Sequence, residues 1–330
     1  MNQPAKIGRR NFLKKSLAAS IAAPMVMSIE EHRLLARETD AATKPVAPGS
    51  AATLPNGTIG KVKMSRVLCG GNLISGYAHS RDLIYVSGLL KHYFTDERIM
   101  ETWAMCEAHG INTMITNPED RHALEVYRKY RERGGRIQFL AQISPKKDEI
   151  KETVQLVVDA GAVGAFLVGN LGDTWTRDGS VGLIGETVKR IKDKGIIAGV
   201  AGHELRTPMT IEKAKIDPDF YVKTLHSANY WSKRQPGQDK DVIDNYGIDN
   251  YWCKDPEETI RFMSEVNKPW IAYKVLAAGA IQPRAGFRHA FANGADFLCV
   301  GMFDFQVAEN VAAANEILSG KLDRQREWMA

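Results

Sequence analysis

A repeating alternation of short apolar runs and longer helical stretches, which begins near residue 66, constrains the fold of this chain most strongly. The short runs are β-branched and contain glycine, whereas the longer stretches carry apolar residues at helical spacing. Strands that alternate with helices pair in parallel, and eight is the number of parallel strands that closes into a barrel. The sequence therefore predicts an α/β fold, a single-domain (β/α)8 TIM barrel. The strands are predicted at 66–72, 112–117, 137–144, 164–170, 196–203, 220–226, 270–278 and 296–303, and the helices at 96–109, 121–133, 149–160, 182–194, 209–215, 256–266, 284–293 and 307–319.

The N-terminal segment contains an arginine pair, a Phe-Leu pair and an alanine-rich apolar run, at 9–10, 12–13 and 17–27. This order resembles a twin-arginine export signal. The apolar run is shorter than the roughly 20 residues that cross a bilayer, so no stable membrane anchor is expected. The resemblance implies recognition by the twin-arginine export machinery and a folded protein in the periplasm or outside the cell. The predicted division is a signal peptide at 1–28, a linker or disordered segment rich in Ala, Thr, Pro and Gly at 29–60, and a barrel domain at 61–330.

The charge of the chain is concentrated in the predicted signal. The formal net charge is +5, and residues 1–28 hold five basic residues and no acidic residue. The remainder is therefore neutral overall, which gives it no net attraction to nucleic acid or anionic lipid. We expect a small-molecule partner and no nucleic-acid partner, and the sequence leaves open whether the protein forms a homo-oligomer. The four cysteines have no CxxC spacing and are interpreted as buried free thiols: Cys69, Cys106, Cys253 and Cys299.

Two lysines lie inside predicted strands, where a charged side chain is costly. Lys223 is in the sixth strand and Lys274 is in the seventh. Because side chains alternate along a strand, Tyr273 and Val275 are predicted to face the helices. Lys274 and Ala272 would then face the barrel axis, and Lys223 is predicted to face inward in the same way.

Two amines in one enclosed space would each have a lowered pKa, because burial and a like charge both disfavour the ammonium form. A lysine pKa lowered by about three units supplies the neutral amine that imine chemistry requires. The alternatives are that one or both lysines pair with buried carboxylates, or hold an anionic substrate group without reacting. The arrangement favours Lys223 and Lys274 as catalytic residues.

Short motifs surround the same lysines. Lys223 is followed by Thr224, and Lys274 precedes the turn 277–281, Ala-Ala-Gly-Ala-Ile. These motifs resemble deoxyribose-phosphate aldolase and related class I aldolase barrels. The resemblance implies that Lys223 forms the imine and that Lys274 tunes its reactivity.

Histidines follow two further strands. His203 and Glu204 end the fifth strand, and His226 ends the sixth. Imidazole and carboxylate groups suit divalent metals, and this arrangement resembles metal-dependent hydrolase barrels of the amidohydrolase type. A divalent metal held by His203, Glu204 and His226 is therefore one interpretation, although no cofactor is certain. The alternative is that His203 and His226 act directly as catalytic acids or bases.

A third resemblance lies near the start of the barrel. The segments 65–72, Ser-Arg-Val-Leu-Cys-Gly-Gly-Asn, and 106–113, Cys-Glu-Ala-His-Gly-Ile-Asn-Thr, are similar to the first strand and the following helix of aldo/keto reductases. This resemblance implies an oxidoreductase-like barrel.

Polar and aromatic side chains are predicted around the mouth of the barrel. Long connections at 73–95 and 227–255 leave the C-terminal ends of the strands, where barrel active sites lie. Amides near the strand ends suit a polyhydroxylated ligand, since each amide both donates and accepts hydrogen bonds. The predicted substrate-binding residues are Asn72, His79, Arg81, Asp82, Asn117, Gln142, Asn170, Tyr230, Trp231 and Trp252.

These observations favour an exported enzyme that acts on a small carbonyl or sugar-like substrate, of the lyase, aldolase or isomerase type. The open alternatives are a metal-dependent hydrolase or isomerase, an aldo/keto reductase-like oxidoreductase, and a periplasmic carbohydrate-binding protein without catalysis.

Overall fold

The computed structural model describes residues 54–80, 83–238, 240–244 and 251–330. Eight parallel strands close into a barrel in the order β10-β3-β4-β5-β6-β7-β8-β9, and a separate antiparallel hairpin is formed by β1 and β2. The (β/α)8 barrel prediction is therefore confirmed. The strands are β1 Asn56–Ile59, β2 Val62–Ser65, β3 Val67–Gly70, β4 Thr113–Thr116, β5 Gln138–Ile143, β6 Gly164–Leu167, β7 Ile197–Gly202, β8 Phe220–Thr224, β9 Trp270–Tyr273 and β10 Phe297–Gly301.

Helices surround the barrel, and each predicted helix overlaps an observed one. Two helices were not predicted: α1 lies in the long connection after β3, and α5 begins directly after β6. The helices are α1 Tyr85–Tyr93, α2 Asp96–Ala108, α3 Arg121–Glu132, α4 Ile150–Asp159, α5 Gly169–Arg177, α6 Val181–Asp193, α7 Arg206–Lys213, α8 Pro256–Glu265, α9 Pro283–Ala292 and α10 Val307–Ser319.

The hairpin closes the N-terminal end of the barrel. Ile59 of β1 and Met64 of β2 are buried, and they pack with barrel residues such as Leu68 and Phe297. The prediction of a linker over 29–60 is thus wrong at its C-terminal end, because residues 56–59 form a strand. Residues 29–53 of that segment, and the predicted signal at 1–28, lie outside the described residues.

Two apolar layers show which side chains of each strand face inward. The inner layer contains Ile115, Leu140, Val222 and Ile271, whereas the outer layer, between strands and helices, contains residues such as Ala272. Successive side chains of a strand point to opposite faces of the sheet, so each layer collects every second residue of a strand. Charged and polar side chains near the strand ends can therefore be placed either at the barrel mouth or on the outer face.

The connection after β9 departs from the predicted strand. Residues 270–278 were predicted as one strand, but β9 ends at Tyr273. Lys274, Ala277 and Ala278 all have positive φ values, of 58°, 45° and 54°. Such values are uncommon and strained for residues other than glycine, and they often occur at functional sites. This turn lies at the C-terminal end of the barrel.

The placement of the cysteines agrees in part with the expectation of buried free thiols. All four cysteines are free, with Cys69, Cys106 and Cys253 buried and Cys299 partly exposed. None of the described helices is long and apolar enough to cross a bilayer.

Candidate active site

Lys274 lies at the barrel mouth. It follows β9 directly, and its left-handed backbone conformation turns the chain at the strand end. Its Nζ lies 2.9 Å from Nε2 of His79 and 4.1 Å from the centroid of the Trp252 ring. The structure therefore brings together three residues that the sequence predicted separately.

The surroundings of the Lys274 amine are poor in compensating charge. Burial lowers the pKa of Lys274 to about 7, and the nearby thiol of Cys299 acts weakly in the opposite direction. No carboxylate forms an ion pair with Lys274 in the part of the chain that the structure describes. A substantial fraction of this amine is consequently neutral at neutral pH, as nucleophilic chemistry requires.

Lys223 does not share this space. It pairs in register with Gly202 and with Ala272, which packs in the outer layer, so its side chain leaves the barrel on the outer face. Its Nζ donates to the carbonyl oxygen of His203 at 2.8 Å and to Oγ1 of Thr224 at 2.8 Å. Burial lowers the pKa of Lys223 as well. The prediction that Lys223 faces the barrel axis beside Lys274 is wrong, and its contacts are those of a residue that holds strand ends together.

His226 holds the segment that carries Trp252. Its Nε2 accepts hydrogen bonds from the backbone N–H groups of Trp252, at 3.0 Å, and Cys253, at 3.1 Å. Because Nε2 accepts twice, the proton of the neutral ring is on Nδ1, which donates to the carbonyl oxygen of Ser227 at 3.0 Å. Burial lowers the pKa of His226 to about 4. Both ring nitrogens are therefore engaged, which leaves His226 no lone pair for a metal and assigns it a positioning role.

His203 is held by a carboxylate that the sequence analysis missed. Asp173 of α5 is fully buried, and its Oδ2 lies 2.8 Å from Nδ1 of His203. The same carboxylate accepts from the backbone N–H groups of His203 and Glu204 and from the hydroxyl of Thr207 at 2.7 Å. Burial lowers the pKa of His203, and Asp173 opposes that shift. This network fixes the orientation of the His203 ring at the end of β7.

Tyr273 faces the inside of the barrel. It packs against the inner layer, and its ring lies 5.3 Å from the His203 ring and 5.9 Å from Nζ of Lys274. The predictions that Tyr273 faces the helices and that Ala272 faces the axis are therefore wrong. Sequence alternation could not decide between the two faces, because Trp270, Ile271 and Ala272 are all buried and apolar.

Two of the three predicted metal ligands, Glu204 and His226, form hydrogen bonds with backbone groups. Glu204 accepts a hydrogen bond from the N–H of Val242 at 2.8 Å, and its pKa is raised chiefly by burial. His226 uses both nitrogens as described above. No group of three or more His, Cys, Asp or Glu side chains is placed to hold a metal within the described ranges.

The predicted substrate-binding residues have varied surroundings. Asn117 and Asn170 each accept a backbone N–H through Oδ1, from Glu119 and Leu171 respectively. Arg81 and Asp82 lie outside the described residues. Asn72 is exposed, and Gln142 is partly buried on β5. The Tyr230 ring packs against the His226 ring, with a centroid distance of 5.5 Å. Trp231 is 81% exposed, whereas Trp252 is 1% exposed.

Comparisons with known proteins support the fold. No protein-family model matches this sequence, and no curated protein matches it. Two structures of a putative aldo-keto reductase from Pseudomonas aeruginosa superpose with a TM-score of 0.53 each, at 16% and 15% identity. The first covers 80% of this chain and 94% of that chain, and the second covers 82% and 99%. A phospho-2-dehydro-3-deoxyheptonate aldolase from Thermotoga maritima superposes with a TM-score of 0.48 at 11% identity, over 83% of this chain and 76% of that chain. At 15–16% identity the likeness to the two reductase structures shows the barrel fold alone, and the chemistry must be argued from the side chains.

Proposed function

We propose that this protein is a barrel enzyme that forms an imine between Lys274 and a small carbonyl substrate, in a lyase reaction of the class I aldolase type. The observation that carries the proposal is the Lys274 amine at the barrel mouth, whose pKa is lowered to about 7 by burial. An unperturbed lysine, with a pKa of about 10.4, is almost entirely protonated at neutral pH. Lys274 therefore has the protonation state that imine formation needs.

The chemistry of an imine suits this position. The Nζ lone pair forms a bond to the carbonyl carbon, the carbonyl oxygen takes one proton from Nζ and one from solvent and leaves as water, and a protonated C=N group remains. That group accepts the electron pair of a neighbouring C–C bond, which allows the bond to break. Active sites of TIM barrels lie at the C-terminal ends of the strands, which is where Lys274 follows β9.

The surroundings favour Lys274 over Lys223 as the nucleophile. Lys223 donates to His203 O, Thr224 O and Thr224 Oγ1, so its hydrogen-bonding capacity is used within the fold. Lys274 contacts a ring nitrogen of His79 and the face of Trp252. The substrate we infer is a small aldehyde, ketone or open-chain sugar.

Reductive trapping tests this assignment. The protein is incubated with acetaldehyde, glycolaldehyde, dihydroxyacetone or pyruvate, reduced with sodium cyanoborohydride, digested and analysed by mass spectrometry. The expected result is an adduct on the peptide that contains Lys274 and none on the peptide that contains Lys223. Lys274→Met should abolish the adduct. An adduct confined to Lys223 or to exposed lysines, or none with any probe, would contradict the proposal.

We also propose that the chain is exported by the twin-arginine pathway. The supporting feature is the sequence at 9–27, with its arginine pair and its weakly apolar run. The test is fractionation of cells that express the full chain: the wild type should accumulate outside the cytoplasm, and a double substitution of Arg9 and Arg10 to Lys should retain it inside. Equal distribution of the two proteins would refute export by this route.

A further inference from the structure

We propose that the hydroxyl of Tyr273 is a catalytic hydrogen-bond donor, which binds the oxygen of the carbonyl substrate while Lys274 attacks its carbon. This inference rests on the proposed function and adds a second reacting group to it. It begins from an unsatisfied polar atom at the barrel mouth.

Within the described residues, the Tyr273 hydroxyl is buried and has no hydrogen-bond partner. Buried polar atoms in folded proteins nearly always have a partner, and leaving one without costs about 1–3 kcal/mol. A phenylalanine at this position would avoid that cost and keep the ring. The hydroxyl therefore has a use other than stabilising the fold.

Gly169 allows the backbone at the start of α5 to approach this hydroxyl closely. A Cβ atom at residue 169 would lie 2.3 Å from the Tyr273 oxygen and 2.8 Å from Cε1 of His203. Any side chain at the start of α5 would thus collide with both groups. The absence of a side chain at residue 169 therefore allows the Tyr273 hydroxyl to lie against the start of α5 beside His203, and the Nζ of Lys274 lies 5.9 Å from the centroid of the Tyr273 ring.

The electrostatic surroundings keep the phenol protonated. Burial raises the pKa of Tyr273 well above its usual value of 10, and the carboxylate of Asp173 adds to the effect. The hydroxyl is therefore a permanent donor at physiological pH and does not itself lose its proton. A fixed donor in a water-poor site stabilises oxygen that gains negative charge during a reaction.

Imine formation at Lys274 proceeds through a carbinolamine. As the C–N bond forms, the π electron pair of the carbonyl moves onto oxygen, where the Tyr273 hydroxyl donates to it. The oxygen takes the proton that Nζ loses, which gives a carbinolamine. Loss of that hydroxyl group with one proton taken from solvent releases water, and the nitrogen lone pair forms the C=N bond of the protonated imine. Tyr273 stabilises the charged oxygen in the first step and is unchanged at the end.

The test compares Tyr273→Phe with Tyr221→Phe. Tyr221 is a matched control, because its hydroxyl lies on the outer face and donates to Glu212 at 2.6 Å. The probe is glycolaldehyde with cyanoborohydride, and two quantities are measured: the rate of labelling at Lys274 across pH 5–10, and the urea midpoint of unfolding.

We expect Tyr273→Phe to label Lys274 about 100-fold more slowly, with the midpoint of the pH profile unchanged and a urea midpoint equal to or above that of the wild type. Tyr221→Phe should show the reverse, a lower urea midpoint and an unchanged labelling rate. Equal labelling rates for wild type and Tyr273→Phe would overturn this inference and leave the proposed function standing. A fall in urea midpoint that accounts for the slower labelling would also overturn it. Failure of the wild type to label at Lys274 would overturn the proposed function, and this inference with it.

Discussion

The Nζ of Lys274 lies 4.1 Å from the centroid of the Trp252 ring. Two opposite effects follow from this contact. A cation over an aromatic face is stabilised by about 0.5–2 kcal/mol, whereas exclusion of water by the indole destabilises the ammonium. The pKa of Lys274 is lowered to about 7, with burial as the first cause, so exclusion of water is the larger effect.

Replacing Trp252 by alanine should therefore admit water to Lys274 and raise its pKa toward 10.4. We expect reductive labelling of Lys274 at pH 7 to fall by at least about tenfold, and to recover at pH 10, since the amine is then again neutral. Trp231→Ala is the matched control, because Trp231 is 81% exposed. A Trp252→Ala protein that labels at the wild-type rate at pH 7 would show that the indole does not set the reactivity of Lys274.

His226 should act through Trp252 and not through a metal. His226→Ala leaves the N–H groups of Trp252 and Cys253 without their acceptor, and we expect a loss of about 2–4 kcal/mol in the free energy of unfolding. Treatment with EDTA should leave both stability and labelling unchanged. A large loss of activity in EDTA that zinc or manganese restores would contradict this role.

Protonation of the same histidine should make the free energy of unfolding depend on pH. Its pKa is about 4 in the folded protein, below the usual value near 6.5. The unfolded chain binds more protons than the folded one between these values. The stabilisation from neutral His226 should thus be complete above pH 6.5 and decrease as the pH falls toward 4. Urea titrations at pH 4.5 and 7 should show this loss in the wild type and a smaller loss in His226→Gln.

Ionisation of Lys274 should make the free energy of unfolding depend on pH above neutrality. Its folded pKa of about 7 lies below the unfolded value near 10.4. Between these values the unfolded chain holds the extra proton, so the free energy of unfolding should rise as the pH increases from 7 to 10. Below pH 7 Lys274 is protonated in both the folded and the unfolded chain, so the full free-energy cost of the buried ammonium lowers the stability. Comparison with Lys274→Met isolates this contribution, and identical slopes in the two proteins would contradict it.

Asp173 should be required for both the fold and the site. Its carboxylate accepts hydrogen bonds from His203, Glu204 and Thr207 at distances of 2.7–3.1 Å. Asp173→Asn replaces one acceptor oxygen by a donor that faces N–H groups, and we expect a loss of about 3 kcal/mol. Heteronuclear NMR of the His203 ring should show Nδ1 protonated in the wild type and a changed tautomer distribution in the variant. An unchanged ring spectrum would show that Asp173 does not orient His203.

The barrel could be predicted from the sequence because strands and helices alternate with clear periodicity and glycine ends several helices. Gly110, Gly134, Gly161 and Gly195 adopt the positive φ that terminates helices. These signals are local and repeat many times. The hairpin β1–β2 was missed because its short strands lie in a segment whose composition is typical of a linker.

The orientation of the lysines could not be predicted in the same way. Every residue of β8 is buried on one face or the other, so polar and apolar residues do not alternate along this strand. The sequence therefore does not indicate which face of the sheet Lys223 occupies. Lys274 reaches the mouth through a left-handed backbone turn that follows the strand. Asp173 was missed because the helix that carries it begins where 164–170 was predicted as strand. Each of these errors arises where tertiary contacts override local pattern.

The ionisation of Lys274 decides whether this residue can be the nucleophile. Protein labelled with 13C at lysine Cε is titrated from pH 5 to 11 by NMR, with the Lys274 resonance assigned by its absence in Lys274→Arg. We predict a midpoint for Lys274 near pH 7, because burial at the barrel mouth disfavours the ammonium form. A midpoint near 10, as for an exposed lysine, would contradict the proposal that Lys274 is the nucleophile.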